Sequence, residues 1–485
     1  MFDVFCLGVA LAVGQGSPAP MPPTITGQAT VTQGLPARIP AALPTVGVPG
    51  VPVVQKKDAP GEAKVEEPKK EEEKKEDEKK PEEKGHFMKM LEGTDLGCKL
   101  EACKIKIDGW AAMSYTCSNR NGATNLPVTW NDRADSFLFQ QFWVNIEKGL
   151  DKDSKEVNSG WKVAFLYGSD YRFTLIRGFL NNQLMNPRFD IREPNRFEQN
   201  IYGLDIPLFY ANAWLPGVGG EGTEVAIGRM FTPFGTESVM APSTPLMSRS
   251  YAFQWAPPFF HTGVMADTKV DKNLSVKNMI VNGNDVFFDG SQEWRYVGAY
   301  TLTSDDEKTT MVFGTSLGRG KFNAARPNGP AQGVTTLGLA YEPVGRNNFN
   351  VFDLTVAQKV DDNFSVGFEA IYGYQQCVPA AATGNALNFG GTAGTAHWLS
   401  LVKYLNYNFS DQVSGVARAE AFYDAEGSRT GFEGWYYAGT LGLQIKPMDS
   451  VIFRPEIRYD YNGYSRPFNG YHSLFTAGAD LIIKF

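Results

Sequence analysis

The sequence has no long uninterrupted apolar segment. A membrane-spanning helix needs about 18 or more consecutive apolar residues, and no stretch of the 485 residues approaches that length. A helical membrane protein is therefore excluded. Histidine is also scarce: the chain has four, dispersed at His86, His261, His397 and His472. This dispersal argues against a histidine-based metal centre.

Cysteine is equally sparse, with five residues spread along the chain. Cys98 and Cys103 are close enough in sequence to form a small disulfide in an oxidising periplasm, or they could remain reduced. Their spacing is not a strong metal-binding pattern, and no histidine lies near them. We expect neither a metal nor a cofactor.

Catalytic motifs are almost entirely missing. The sequence contains no H-E-x-x-H, phosphate-binding P-loop or EF-hand pattern. Residues 217–222 match G-x-G-x-x-G, but strand-like residues follow, so we interpret them as a glycine-rich hairpin turn. His397 lies near Ser400, a pair that an outer-membrane lipase would need, but no spacing pattern supports it. We predict that the protein is not an enzyme.

The formal net charge is only −7. The Lys/Glu-rich segment 56–84 contributes −2, so residues 100–485 carry about −5. No basic surface is indicated, and nothing suggests nucleic-acid binding.

The C-terminal region shows the strongest pattern in the chain. In 450–462, alternate positions from Val451 to Tyr461 are all apolar, while the positions between them from Arg454 to Asp460 are all charged; successive side chains of a strand point to opposite faces. Residues 473–485 repeat the pattern up to the terminal Phe485, and 435–446 have the same alternation. An apolar outer face and a charged inner face over about ten residues are typical of strands that cross an outer membrane around a wet lumen.

The same alternation predicts sixteen strands from residue 104 onward, with 14 or 18 as alternatives. Short turns alternate with long connections, of which 172–205, 232–257 and 320–348 are the longest. The predicted fold is all-β: a transmembrane antiparallel up-and-down β-barrel with a disordered N-terminal tail. The alternation is poor at two positions, because Arg229 and Lys403 fall on the apolar face.

The region before the barrel divides into three segments. Residues 1–20 resemble a signal peptide without the usual basic start. Residues 21–84 form a Pro-rich and then Lys/Glu-rich disordered tail, which could be a periplasmic spacer, a cell-wall contact or simply a solvated tail. Residues 85–103 are a short periplasmic segment, and the barrel occupies 104–485.

Charged residues on the inner face are the candidate functional residues. Opposed charges across a narrow lumen create a transverse field that orients polar solutes, although the same charges could merely pair and fill the barrel. The predicted pore-lining residues are Arg418, Glu420, Arg454, Glu456, Arg458, Asp460, Asp480 and Lys484. Candidates for a constriction loop are Arg172, Arg177, Arg188, Arg192, Arg196, Glu237 and Arg249.

Four segments carry a resemblance to a known family: 198–205 (EQNIYGLD), 228–237 (GRMFTPFGTE), 248–251 (SRSY) and 258–263 (PFFHTG). Residues 104–485 resemble the putative β-barrel porin-2 (outer-membrane porin L-like) family. The resemblance implies an outer-membrane porin, the class that the alternation indicates independently.

We therefore expect passive diffusion of small hydrophilic solutes or ions through a charged lumen in the bacterial outer membrane, with the tail in the periplasm. The expected partners are outer-membrane lipid, the solutes and, by analogy, two further copies in a trimer. The alternative is a plugged barrel that serves as a structural, cell-wall-anchoring or adhesion protein.

Overall fold

The computed structural model describes residues 85–120, 124–180, 201–288, 293–320, 349–378 and 394–485. Sixteen antiparallel strands form one closed barrel, in which each strand pairs with its sequence neighbours and β1 pairs with β16. The strands are β1 (Ile105–Ser118), β2 (Ser136–Lys148), β3 (Asn158–Gly168), β4 (Gly203–Pro216), β5 (Gly222–Phe231), β6 (Phe260–Lys269), β7 (Leu274–Val281), β8 (Arg295–Thr303), β9 (Thr309–Leu317), β10 (Asn350–Lys359), β11 (Phe364–Val378), β12 (Gly394–Asn408), β13 (Val413–Asp424), β14 (Gly434–Met448), β15 (Val451–Asn462) and β16 (Ser473–Lys484).

The sixteen predicted strands are confirmed, with boundaries displaced by a few residues. Burial follows the predicted faces: along β15, Phe453, Ile457 and Tyr459 are exposed while Arg454 and Arg458 are buried. The barrel closes through the last residue of the chain, because the backbones of Gly109 and Phe485 exchange two hydrogen bonds of 3.1 and 2.9 Å. The exposed apolar face and the closed edge satisfy the two demands that a bilayer makes of a sheet.

The two ends of the barrel differ in their connections. At one end, called here the short-turn end, hairpins such as 217–221, 270–273 and 449–450 join the strands. The first of these is the predicted glycine-rich turn, with Gly217 and Gly219 at φ of 70° and 77°. At the other end, called the long-loop end, the connections are longer, among them 169–202, 232–259 and 318–349. Part of the first and most of the third lie outside the described residues.

Among the residues that the structure describes, the α-helices are few and short: α1 (His86–Leu91), α2 (Asp95–Ala102), α3 (Tyr171–Thr174) and α4 (Tyr251–Trp255). Thr94 caps α2, accepting a 3.0 Å hydrogen bond from the Gly97 amide. None of the described helices is long and apolar enough to span a bilayer. Cys98 and Cys103, for which a disulfide was one alternative, are free and exposed.

The two residues that broke the alternation have different surroundings. Arg229 is completely buried: its guanidinium pairs with both oxygens of Asp205 at 2.8 and 3.0 Å and lies over the Phe260 ring. Lys403 is exposed on the outer face between Phe368 of β11 and Ala419 of β13. Arg229 is thus satisfied by ion pairing, whereas Lys403 is a cation on the apolar wall.

Candidate functional site

The connection between β5 and β6, residues 232–259, enters the barrel and is named here the inner loop. Its backbone reaches strands on the far side of the lumen: the Tyr251 amide donates to Glu420 of β13 at 2.6 Å, and the Ser248 amide to Glu456 of β15 at 3.0 Å. Near its end, the Ala256 carbonyl accepts from the Trp398 indole of β12 at 3.2 Å. The inner loop therefore crosses the lumen rather than standing above the rim.

Glycines in the wall make room for side chains of the inner loop. A Cβ at Gly442 of β14 would lie 2.4 Å from Leu246 Cδ2, and a Cβ at Gly478 of β16 would lie 2.8 Å from Met247 Cε. On the opposite side, a Cβ at Gly314 of β9 would lie 2.2 Å from Phe234 Cγ. Because a Cβ at these distances would displace the loop side chains, the three glycines let the loop pack directly on the sheet.

Arginines of the wall hold the inner loop by ion pairs and hydrogen bonds. Arg418 of β13 donates to Glu237 at 2.8 Å and to the Ser248 carbonyl at 2.7 Å. Arg458 of β15 donates to the Arg249 carbonyl at 2.6 Å. Each guanidinium is also neutralised on the wall, since Arg418 and Arg458 both lie beside Glu420, at 3.2 and 3.4 Å.

A third wall arginine joins the last two strands to the loop. Arg454 pairs with both carboxylate oxygens of Asp480, one of them at 2.9 Å from Nε. Its remaining nitrogen donates to the Ala241 carbonyl at 3.0 Å and to that of Thr244. A guanidinium has five donors in a fixed fork, so it can satisfy a carboxylate and loop carbonyls at once.

The predicted pore-lining residues are therefore placed as follows. Seven of the eight lie on the inner wall, each no more than 6% exposed and covered by the inner loop or by one another. These seven are Arg418, Glu420, Arg454, Glu456, Arg458, Asp460 and Asp480. Lys484 is exposed near the short-turn end. The prediction that they line a pore stays a prediction. Five of the seven contact the inner loop and anchor it, while Asp460 and Asp480 hold Arg458 and Arg454.

Of the constriction-loop candidates, Glu237 and Arg249 lie within the inner loop. Arg249 donates to Thr244 Oγ1 at 2.8 Å and lies over the Trp130 ring, 5.3 Å from its centroid. Arg172 belongs to a different loop and pairs with Asp132 at 2.9 and 3.1 Å. Arg177 forms a backbone bridge with Val286. Arg188, Arg192 and Arg196 lie outside the described residues.

The segment 232–237 (TPFGTE) forms a turn that positions Thr236 and Glu237 for their contacts with the wall. Gly235 has φ of +99°, a conformation that other residues rarely adopt. The turn it allows aims the Thr236 amide at Glu369 of β11, at 3.2 Å, and the Glu237 carboxylate at Arg418, Tyr404 and Ser250. This segment therefore fixes where the loop leaves the wall and where it meets the far side.

The long-loop half of the interior is densely packed. One apolar cluster joins Trp255 and Tyr251 of the inner loop to Trp398, Phe422 and Tyr436 of the wall. A second joins Phe253 and Phe259 to wall residues and to the loops around Trp130 and Phe173. Gln254 is held by Thr129, whose hydroxyl donates to it at 2.7 Å.

Open space remains on the other side of the inner loop. A cavity of about 620 Å³ lies between the loop and the walls of β3 to β7, and it reaches Glu369 of β11. Its short-turn end is charged, with the ion pairs Lys152–Glu224 at 2.7 Å and Lys277–Asp267 at 3.1 Å. Away from the short-turn end, its lining is largely apolar. The apolar lining includes Met230, Phe231, Phe234, Met240, Phe253, Pro257, Pro258, Phe259 and Met265.

A buried acid lies in the loop that follows β3. Asp170 accepts from the Gln141 side chain at 2.8 Å. Burial raises the pKa of Asp170 to about 7, against the opposing effects of the Gln141 hydrogen bond and of the cations Arg249 and Arg172. Gln141 also donates to the Val239 carbonyl at 2.8 Å and accepts from the Ala241 amide at 3.1 Å. The acid is thus one contact away from the inner loop.

The pair that an outer-membrane hydrolase would need does not assemble. Ser400 pairs with the buried Ile371 and is completely buried on the inner face. His397, three residues away, has the opposite parity, and its ring lies 2.9 Å from the Tyr372 hydroxyl on the outer face. Among the residues described, no group of three or more His, Cys, Asp or Glu side chains could hold a metal ion.

Sequence reasoning missed the wall glycines, the loop around Trp130, and Glu369 as part of the site. The alternation in β11 indicates that Glu369 faces inward, but nothing in the sequence connects it to Thr236, 133 residues away. No sequence pattern identifies the wall glycines as contacts of the inner loop, since glycine in a strand can serve many purposes.

The chain was compared with protein families, curated proteins and solved structures. A family model described as "Putative beta-barrel porin-2, OmpL-like" matches residues 104–485. The curated proteins contain no match to the chain. Among solved structures, OmpT, an outer membrane protein of Vibrio cholerae, aligns at 10% identity, 79% of this chain, 97% of its own and a TM-score of 0.46. A mutant of Rh. blastica porin aligns at 13% identity, 79% and 100% coverage, and a TM-score of 0.43.

Proposed function

Because the chain belongs to the putative β-barrel porin-2, OmpL-like family of outer-membrane β-barrel proteins, we propose that it is a porin for passive diffusion of small hydrophilic solutes or ions. The observation that carries this proposal is the cavity of about 620 Å³ beside the inner loop. Sixteen strands enclose enough space for an aqueous channel. The inner loop narrows that space to one side of the lumen without filling it.

The wall arginines have a defined part in this proposal. Arg418, Arg454 and Arg458 fix the inner loop against β13 to β16, so that solutes pass on the side of β3 to β7. Because each guanidinium is paired with a carboxylate, these residues add little net charge to the passage. The charges that a solute meets first are those at the short-turn end of the cavity.

The test is single-channel conductance of the purified full-length protein in a planar bilayer, with thiol modification to locate the current. Lys162→Cys places a thiol in the cavity lining, and Lys272→Cys places one in the exposed β6–β7 turn as the matched control. Both are made in a background whose native cysteines are serine. A sulfonate-bearing methanethiosulfonate reagent should lower the conductance of the Lys162→Cys protein by about half or more and leave the control unchanged.

Each outcome decides something. Steady steps that the reagent reduces only in Lys162→Cys support diffusion through this cavity. Steady steps that respond equally in both variants would show that ions take another route. A folded, heat-modifiable barrel with no conductance would contradict the porin function itself.

That last outcome would favour a plugged barrel that serves as a structural or adhesion protein. The observation that favours this second candidate is the packing of the long-loop half, where Trp130, Trp255, Trp398 and Tyr251 are no more than 1% exposed inside the barrel. In this case the Lys/Glu-rich tail would contact the cell wall. Binding of purified peptidoglycan by the full-length protein, lost when residues 56–84 are deleted, would support it.

The proposal also includes orientation and assembly. The short-turn end, at which β1 begins and β16 ends, faces the periplasm and carries the tail. Assembly into a trimer stays a prediction by analogy. Chemical cross-linking in native membranes would measure the number of copies.

A further inference from the structure

Two carboxylates of neighbouring strands lie side by side on the inner wall next to the cavity. Glu369 of β11 pairs across the sheet with Thr355, two residues from Asp353 on β10, so the two acids are diagonal neighbours on one face. Both are buried, at 2% and 1% exposure, and they repel each other electrostatically. Glu369 also lines the cavity.

Each acid has one satisfied oxygen and one unsatisfied oxygen. The Thr236 amide donates to Glu369 Oε1 at 3.2 Å, and the Thr355 hydroxyl to Asp353 Oδ1 at 3.0 Å. Glu369 Oε2 and Asp353 Oδ2 have no donor unless one of the two acids is protonated and donates to the other, and the Thr236 hydroxyl lies beside Glu369. A buried carboxylate oxygen without a donor costs free energy, so this position favours a positively charged or protonated group.

Four other inner carboxylates differ from this pair in having a cation. Glu237 and Glu420 have Arg418, Asp460 has Arg458, and Asp480 has Arg454. Within the described ranges, no lysine or arginine forms an ion pair with Asp353 or Glu369. The lysines at the other end of the cavity do not compensate for them, because Lys152, Lys162 and Lys277 are each paired with an acid of their own.

The cavity that Glu369 lines is largely apolar and aromatic. Phe234 and Pro233 are close in sequence to Thr236, and Met230, Phe253 and Phe259 line the same cavity. Such a lining favours an organic group over a hydrated inorganic ion, and aromatic rings also attract cations to their faces. The volume of about 620 Å³ is within the range of pockets that enclose small organic molecules.

We propose that the cavity is a binding site for organic cations with an apolar body, whose ammonium group lies between Glu369 and Asp353. The apolar body contacts the phenylalanines and methionines of the cavity, and the ammonium supplies the donors that Glu369 Oε2 and Asp353 Oδ2 lack. This inference deepens the proposed function by naming the class of solute that the passage selects. The statement about transport rests on the proposed function.

The test measures block of single-channel current and equilibrium binding, with benzylammonium as the probe. Benzyl alcohol has the same apolar body without a charge, and benzoate has it with the opposite charge. Benzylammonium should interrupt the current at concentrations at least about tenfold below those of the other two. Glu369→Gln keeps the shape of the side chain and should weaken benzylammonium block at least about tenfold, with Asp353→Asn weakening it in the same direction.

Asp305→Asn, at an exposed turn residue, is the control and should leave block unchanged. Block by benzylammonium that Glu369→Gln does not weaken would overturn the site, and equal block by all three probes would overturn the cation preference. If the protein has no conductance, titration calorimetry of the folded protein in detergent decides the matter separately. In that case, binding heat that Glu369→Gln abolishes supports the binding site although the porin function is refuted. Absence of binding heat refutes the binding site as well as the porin function.

Discussion

The guanidinium of Arg418 and the carboxylate of Glu237 lie 2.8 Å apart although they are 181 residues apart in sequence. The arginine belongs to the barrel wall and the glutamate to the inner loop, and both side chains are at most 1% exposed. The Tyr404 hydroxyl donates to the same glutamate oxygen at 3.0 Å. This contact fixes the inner loop to β13 on the far side of the lumen.

We predict that Glu237→Ala loosens the inner loop. The substitution removes the acceptor of Arg418, Tyr404 and Ser250, and loss of one partner of a buried ion pair costs about 3–5 kcal/mol. Single-channel conductance should rise and become noisier as the loop moves from the wall. Asp305→Asn, which removes only an exposed turn carboxylate, should leave the conductance unchanged. A quiet, unaltered conductance in Glu237→Ala would show that the anchor does not control the passage.

Arg454 and Asp480 should be strongly coupled in stability. Arg454→Met removes the donor to the buried Asp480 carboxylate and to the Thr244 carbonyl, and one of two donors to the Ala241 carbonyl, so the free energy of unfolding should fall by about 3–5 kcal/mol. Adding Asp480→Leu should cost less than the sum of the two single changes. Urea unfolding in lipid vesicles, followed by tryptophan fluorescence, measures both.

The exposed pair Lys272–Asp305 offers a matched comparison, since its side chains are 73% and 81% exposed. The equivalent Lys272→Met should change stability by less than about 1 kcal/mol. Strictly additive effects at Arg454 and Asp480 would mean that the two side chains do not interact in the folded protein.

The stability of the barrel should depend on pH through Asp170. Its pKa is raised from 3.8 to about 7, so the folded state holds the proton more tightly than the unfolded state. This contribution is fully present below pH 4 and is lost as the pH rises toward about 7. Asp170→Asn imitates the protonated acid, so the variant should match the native protein near pH 4 and become more stable than it above pH 7. The gain should be at most about 4 kcal/mol, at about 1.4 kcal/mol for each pKa unit. Parallel pH profiles of unfolding for the two proteins would refute this assignment.

Lys403→Leu should stabilise the barrel. A lysine on the lipid face costs about 2–4 kcal/mol at the middle of a bilayer and about 0–1 near its edges. Lys403 lies five residues from the short-turn end of β12, between these positions, so we expect a gain of about 1–3 kcal/mol in urea unfolding. Lys272→Leu in the turn should produce no comparable gain. A destabilised Lys403→Leu protein would indicate that this lysine has a polar partner in the membrane.

The sequence by itself determined the barrel and the two faces of each strand. The reason is that the period of two is local: Phe453 and Arg454 go to opposite sides whatever the rest of the chain does. The turns were equally local, as at Gly217, because glycine and asparagine there supply backbone conformations that other residues avoid. The identification of Glu237 and Arg249 as loop candidates also needed only their position between two strands.

Only the tertiary structure decided what those inner residues do. Arg229 appeared misplaced because its partner Asp205 is 24 residues away, and Arg454 appeared free to face water because the Ala241 carbonyl is 213 residues away. Contacts of this kind depend on which strands lie opposite each other and on a loop that folds into the barrel. No local pattern contains that information. A charged inner face alone therefore does not distinguish a residue that faces the open lumen from a residue that anchors the inner loop.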